Sequence, residues 1–197
     1  RPNRIFEGTP ERGDVVVFRH PVSGTDYIKR VIGLPGDKVQ MRASRLFING
    51  VMTKINMTED FIEVYERQGS QGNRPICSNG VVGLGGNCIK KRYIETLPNG
   101  VSYGILDTVD QDDLKLGGRL NLDSTKVYSV PKGHFFFMGD NRDNSSDSRV
   151  PQSSGGVGFV PMEDIVGRAD RILFSSAGQS MLAFWTWRST RYLKAVN

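Results

Sequence analysis

A lysine stands in the middle of a strand-like run, Asp26-Tyr27-Ile28-Lys29-Arg30-Val31-Ile32-Gly33. In an extended chain Tyr27, Lys29 and Val31 share one face, and Ile28, Arg30 and Ile32 the other. If the Tyr27/Val31 face is buried, the Lys29 amine loses its water, and its pKa falls from about 10.4 toward neutrality. A neutral amine can take a proton from a serine hydroxyl, the chemistry of Ser-Lys hydrolases. The plain alternative is a lysine whose stem lies on the sheet while its charge reaches solvent. A second polar run, Gly139-Asp140-Asn141-Arg142-Asp143-Asn144-Ser145-Ser146-Asp147-Ser148-Arg149, follows the apolar Phe135-Phe136-Phe137-Met138. Its arginines alternate with aspartates, so bidentate contacts are available. It begins at the edge of a core, is long for a simple turn, and reads as a loop held rigid to position something, rather than a solvated turn.

Competing chemistries find little support. His20 precedes Pro21 in a loop, His134 abuts the Phe-rich strand as a half-buried structural residue, and no GxSxG elbow supplies a nucleophile for a His triad. Gly83-Leu84-Gly85-Gly86-Asn87 lacks the lysine-serine pair and following helix of a phosphate loop. Cys77 and Cys88 have neither CxxC spacing nor nearby histidine, so no metal is expected and no cofactor is implied. Their natural use is one local disulfide in an oxidising compartment, with two free thiols as the alternative. The net charge of +5 suits anionic partners, nucleic acid or lipid headgroups. The basic residues are spread, however, with no dense block beyond Lys90-Lys91-Arg92, which argues against nucleic acid.

The elements that must hold these residues read as strands. Arg12-Gly13-Asp14-Val15-Val16-Val17-Phe18 is a turn and buried strand, and Asp26–Gly33 a second strand closed by the Pro35-Gly36 turn. Lys38–Met41 is extended, and Arg45–Val51 forms a hairpin through Asn49-Gly50. From 51 to 125 apolar runs shorten and glycines multiply, which predicts an inserted β-rich subdomain. The core resumes with Lys126–Gly133 and the Phe-rich strand, and Asp164–Phe174 predicts a final core strand. Helical stretches are scarce. The fold class is all-β: a catalytic core from 1–50 and 126–175, an insert at 51–125, and a C-terminal tail at 176–197.

Three segments in order, Arg12–Phe18, Asp26–Asp37 and Gly139–Arg149, resemble the signature boxes of bacterial type I signal peptidases. The match covers the two flanks of the chain and not its middle. It implies a signal peptidase-like β-fold enzyme, anchored at its N-terminus, that removes signal peptides from exported preproteins with a Ser-Lys dyad. By this resemblance Lys29 is the general base, and Ser145 hydrogen-bonds and orients its amine. Asp147 and Arg149 form a charged pair bracing the loop. Tyr27 and Ile28 flank the lysine on the strand that docks substrate.

The family's nucleophile lies in a Ser-x-Ser-Met motif upstream of the first box, together with oxyanion-hole donors. The chain is expected to be a fragment without that motif or the anchor, itself inactive; Ser180-Met181 is a chance match at the wrong end. Expected partners are preprotein signal peptides with small residues at the cut site, and membrane lipids, with no nucleic acid. The expected location is the bacterial inner membrane, catalytic domain on the periplasmic side. Tail residues Trp185, Trp187 and Tyr192, interleaved with Arg188, Arg191 and Lys194, read equally as a membrane-interfacial segment or one packed on the barrel. Two rival readings remain: another Ser-Lys peptidase, or a non-catalytic module that binds signal peptides or anionic partners without cutting.

Overall fold

The computed structural model describes residues 8–68, 72–108 and 121–169, with the backbone of two short strands at 171–172 and 194–195. The expectations for the tail aromatics and for Ser180 lie outside the described residues. The strands are β1 Val15–Arg19, β2 Asp26–Gly33, β3 Lys38–Arg42, β4 Arg45–Ile48, β5 Val51–Met52, β6 Lys54–Met57, β7 Phe61–Val64 and β8 Asn87–Lys90. They continue with β9 Arg92–Thr96, β10 Ser102–Leu106, β11 Tyr128–Ser129, β12 His134–Met138, β13 Val160–Pro161, β14 Ile165–Arg168, β15 Arg171–Ile172 and β16 Lys194–Ala195. Among the described residues helix is confined to short 3-10 turns, and the fold is all-β.

A five-stranded sheet, ordered β13-β12-β2-β1-β14, carries the two runs of interest. It is buried on both faces where β12 crosses β2. Phe135 and Phe137 join Val16, Phe18 and Val31 in one core, with Phe18 and Phe137 stacked at 4.5 Å. Phe136 and Met138 point the other way and join Ile32, Met41, Leu46 and Ile48 in a second core. Two-sided burial explains why β12 is continuously apolar instead of alternating.

The second core is closed by a four-stranded sheet, β11-β3-β4-β5, and by strands of the middle segment. Asn49 and Gly50 take positive φ of 52° and 83° in the β4–β5 turn, the conformation an Asn-Gly hairpin requires. Ala43 and Ser44 turn the β3–β4 hairpin with φ of 45° and 60°, although neither residue favours that region. The turn is held from outside, by Ala43 N–H to Ser124 Oγ at 3.1 Å and Ser44 N–H to the Asp123 carbonyl at 3.0 Å.

Two sequence expectations need redrawing. The 51–125 segment is not wholly apart, because Leu97, Tyr103 and Ile105 are buried in the same core as β3, β4 and β12. The β7–β8 hairpin forms its own two-stranded sheet. Asp164–Phe174 is not one core strand either. A 3-10 turn covers Met162–Asp164, β14 pairs with β1, and β15 pairs with β16 instead of the core sheet.

Candidate functional site

Strand register brings Lys29 to the polar loop. β12 pairs antiparallel with β2 through Phe136↔Gly33, Phe137↔Val31 and Met138↔Arg30, skipping Ile32 in a bulge. One step beyond Met138 the chain reaches Gly139, opposite Lys29. A Cβ built on Gly139 would lie 2.2 Å from Ser145 Oγ, 2.6 Å from Ser145 Cβ and 3.5 Å from Lys29 Nζ. Glycine is therefore required here for close approach, and the amine and hydroxyl share the space it leaves open. β12 ends there, so among the described residues Asp26–Ile28 of β2 is paired on one side only, with β1.

Lys29 is partly buried, its Nζ 5.9 Å from the centre of the Tyr27 ring. Burial pushes its amine below the ordinary lysine value; Asp147 and Asp140 pull it back up, and Arg149 pushes it down. Desolvation wins, which favours a neutral amine. On the other face of β2, Arg30 is buried and donates through Nε and Nη2 to Asp140 at 2.9 and 2.8 Å, and through Nη1 to the Gly13 carbonyl at 2.8 Å. Ile28, on that same face, is 56% exposed.

The loop is folded around Asp147. Arg149 donates Nε to Asp147 Oδ1 at 3.0 Å and Nη2 to Oδ2 at 2.9 Å, with both side chains fully buried. The carboxylate also accepts the backbone N–H groups of Gly139 and Arg149, each at 3.1 Å. Burial pushes the Asp147 carboxyl up, but Arg149 and these N–H groups outweigh it and hold it below the usual range. Ser148 ties the loop to β12: its N–H donates to the Phe137 carbonyl at 3.0 Å and its Oγ accepts the Phe137 N–H at 2.9 Å. Ser145 differs from expectation. Its Oγ is enclosed over Gly139 and makes no hydrogen bond, to Lys29 or to any other described group.

The histidines stand apart from this chemistry. His20 is buried against Tyr27, ring centres 4.9 Å apart, and its Nδ1 accepts the N–H groups of Val22 and Ser23, each at 3.2 Å. His134 Nδ1 lies 2.9 Å from the Lys132 carbonyl. Cys77 and Cys88 are bonded, Cα atoms 5.2 Å apart, at the base of the glycine-rich 78–87 loop.

Several buried groups around the loop come from segments far away in sequence, and no local pattern marks them. Arg142 packs against Glu95 and Tyr103 of the β9–β10 hairpin. Asp107, Asp123 and Asp143 present carboxylate oxygens all within 4.8 Å of one another, a spacing that would suit a cation. Burial, then the charges of Asp143 and Asp123, pushes the Asp107 carboxyl up to about 7. Among the described residues no helix is long and apolar enough to cross a membrane.

Comparison with known proteins gives a consistent picture. The sequence profile of the signal peptidase family, peptidase S26, matches residues 4–174. Signal peptidase I of Rickettsia bellii (strain OSU 85-389) is 38% identical over 174 residues, covering 88% of this chain and 50% of that protein. Signal peptidase I of Rickettsia typhi is 40% identical over 174 residues, covering 88% and 55%. The chain thus spans about half the length of the curated relatives it matches. A crystal structure of a signal peptidase I from Enterococcus faecalis V583 aligns over 82% of this chain and 97% of its own, at 26% identity and a TM-score of 0.39.

Proposed function

The chain belongs to the signal peptidase family, peptidase S26, and we propose that it is the base-bearing part of a serine endopeptidase that removes signal peptides from exported preproteins. One observation carries the reading: a partly buried amine, Lys29, with its pKa lowered by desolvation, beside the half-open end of β2. A serine attacks the scissile carbonyl and gives its proton to Lys29 Nζ. The tetrahedral adduct collapses to an acyl-serine as the leaving amine takes that proton. Water, deprotonated by Lys29, then hydrolyses the ester. Ser145 Oγ is enclosed and without a hydrogen bond, so it is not assigned as the attacking group. No other serine among the described residues is assigned as the attacking group. Asp147 and Arg149 brace the loop over Gly139.

The substrate binds extended, adding a strand along Asp26–Ile28, where one edge of β2 is unpaired among the described residues. Tyr27 and Ile28 flank the lysine there, and small apolar pockets select small residues at an Ala-x-Ala site. The Cys77–Cys88 bond fits an oxidising compartment. Within this proposal that compartment is the periplasmic side of a bacterial inner membrane.

The test is cleavage of a preprotein carrying an Ala-x-Ala site. Three proteins are compared: this chain, the chain extended to its natural start, and the extended chain with Lys29→Ala. Cleavage by the extended wild type alone is the expected result. Cleavage by this chain unaided would place the nucleophile within it. Binding without cleavage by the extended chain would favour a signal-peptide-binding module.

A further inference from the structure

The β9–β10 hairpin belongs to the middle segment, yet its inner face is wired to the loop that encloses Lys29. Glu95 and Arg142 are 2% and 1% exposed and form a buried ion pair. Glu95 Oε2 accepts hydrogen bonds from Arg142 Nη2 and from the Tyr103 hydroxyl at 2.6 Å, and Oε1 accepts one from Thr53 Oγ1 at 2.9 Å. Burial pushes this carboxyl up, but the Arg142 charge and the three donors outweigh it and keep it ionised. The Arg142 carbonyl in turn accepts Arg149 Nη2 at 2.8 Å, and Arg149 grips Asp147, which holds the Gly139 N–H.

A second route runs beside the first. The Tyr103 ring lies 4.0 Å under the Arg30 guanidinium, next in sequence to Lys29. Leu106 N–H donates to the Asp140 carbonyl at 2.9 Å and pairs with Asn141 in a parallel bridge, so the hairpin extends into the loop. Both routes end on residues adjoining Lys29 or Gly139. The charges that bear on Lys29 are those of Asp147, Arg149 and Asp140. Those bearing on Arg142 include Glu95 and Asp107. Such a network restricts the groups it joins, although Arg142 Nε and Arg149 Nη1 make no hydrogen bond among the described residues.

We propose that Glu95 is a positioning residue for Lys29, acting through Arg142 and the Asp147–Arg149 pair to keep the loop closed over the amine. This rests on the reading of Lys29 as the base. Loosening the loop admits water to Lys29, moving its pKa back toward about 10.4. A residue that only stabilised the fold would lower the amount of active protein and leave that pKa unchanged.

The experiment uses the chain extended to its natural start, with two variants. Tyr103→Phe removes one donor to Glu95 and keeps the ring under Arg30. Glu95→Leu with Arg142→Met replaces the ion pair by apolar side chains, which protects folding. Two quantities are measured: the pH dependence of kcat/KM on an Ala-x-Ala preprotein, and the titration of Lys29 by NMR of 13C-labelled lysine. The expected result, in folded variants, is an acid limb and a Lys29 titration both moved upward by about half a pH unit or more. At neutral pH that is a loss of about threefold or more, with KM little changed. A wild-type acid limb and wild-type Lys29 titration in a folded double variant would overturn the proposal. If the parent protein does not cut, or Lys29→Ala cuts as well as the parent, the base reading fails; the NMR titration still decides whether Glu95 controls Lys29.

Discussion

Gly139→Ala is the smallest change that addresses the candidate site directly. Glycine's φ there is not positive, so alanine meets no backbone penalty and the effect isolates close approach. The added Cβ would sit 2.2 Å from Ser145 Oγ and 2.6 Å from Ser145 Cβ, where carbon contacts need about 3.5 Å. One side must move by about 1 Å. Ser145 has little room, because its loop is fixed by the Asp147–Arg149 pair and by Ser148 on β12. Overpacking of this kind costs about 1–3 kcal/mol, and a 1 Å misplacement beside a reacting group costs about 100-fold in rate. Denaturant unfolding of this chain reads the first effect, and kcat/KM of the upstream-extended chain reads the second. Ser145→Gly removes both clashing atoms, so the double variant should recover most of the stability. It should not recover full rate if Ser145 orients the amine. A Gly139→Ala protein within about 0.5 kcal/mol and twofold of the parent would refute the close approach and the account of the site built on it.

The Asp107 carboxyl, titrating near 7 in the fold against about 3.9 unfolded, binds its proton more tightly when folded. Its contribution to stability is full below about pH 4 and lost as pH rises through 7, so Asp107→Asn should flatten that slope and stabilise the chain at pH 8 by up to about 4 kcal/mol; paired denaturant titrations at pH 5 and pH 8 check it. Ala43→Asn with Ser44→Gly supplies the residues that the positive-φ turn demands and should raise stability by about 1–2 kcal/mol, read as a higher denaturant midpoint with unchanged m-value.

What the sequence revealed follows the range of the interactions. The face on which Lys29 lies was legible from strand alternation, and arginine–aspartate contacts in the loop from the alternation of those residues, whereas the particular pair Asp147–Arg149 was implied by the family resemblance. The Asn49-Gly50 turn was legible from intrinsic preference, whereas Ala43 and Ser44 carry no such signal because Ser124 and Asp123, some 80 residues on, hold them in place. Glu95 and Tyr103 were invisible for the same reason. A glutamate in a short strand of a mixed-charge segment reads as surface until Arg142 is brought to it from 47 residues away. The boundary drawn at 51 and 125 followed composition. The buried Leu97, Tyr103 and Ile105 are too few, and too interrupted by turns, to announce that part of the segment closes the main core. The conformation of Ser145 depends on tertiary packing that the loop's own residues do not encode.

The bulge at Ile32 makes β2 behave like a reading frame. Lys29 and Arg30 are neighbours with opposite duties: one amine faces the space over Gly139, and one guanidinium is anchored to Asp140 and Gly13 on the far side. Gaining one residue between the bulge and Lys29 would put Arg30, a permanent cation, where the titratable amine stood, and losing one would put Ile28 there. Side-chain substitutions can be absorbed locally, but a change in count cannot. Length variation should therefore be tolerated in the 78–87 loop, whose base is stapled by a disulfide, and forbidden along the few residues that set which side chain faces the space over Gly139.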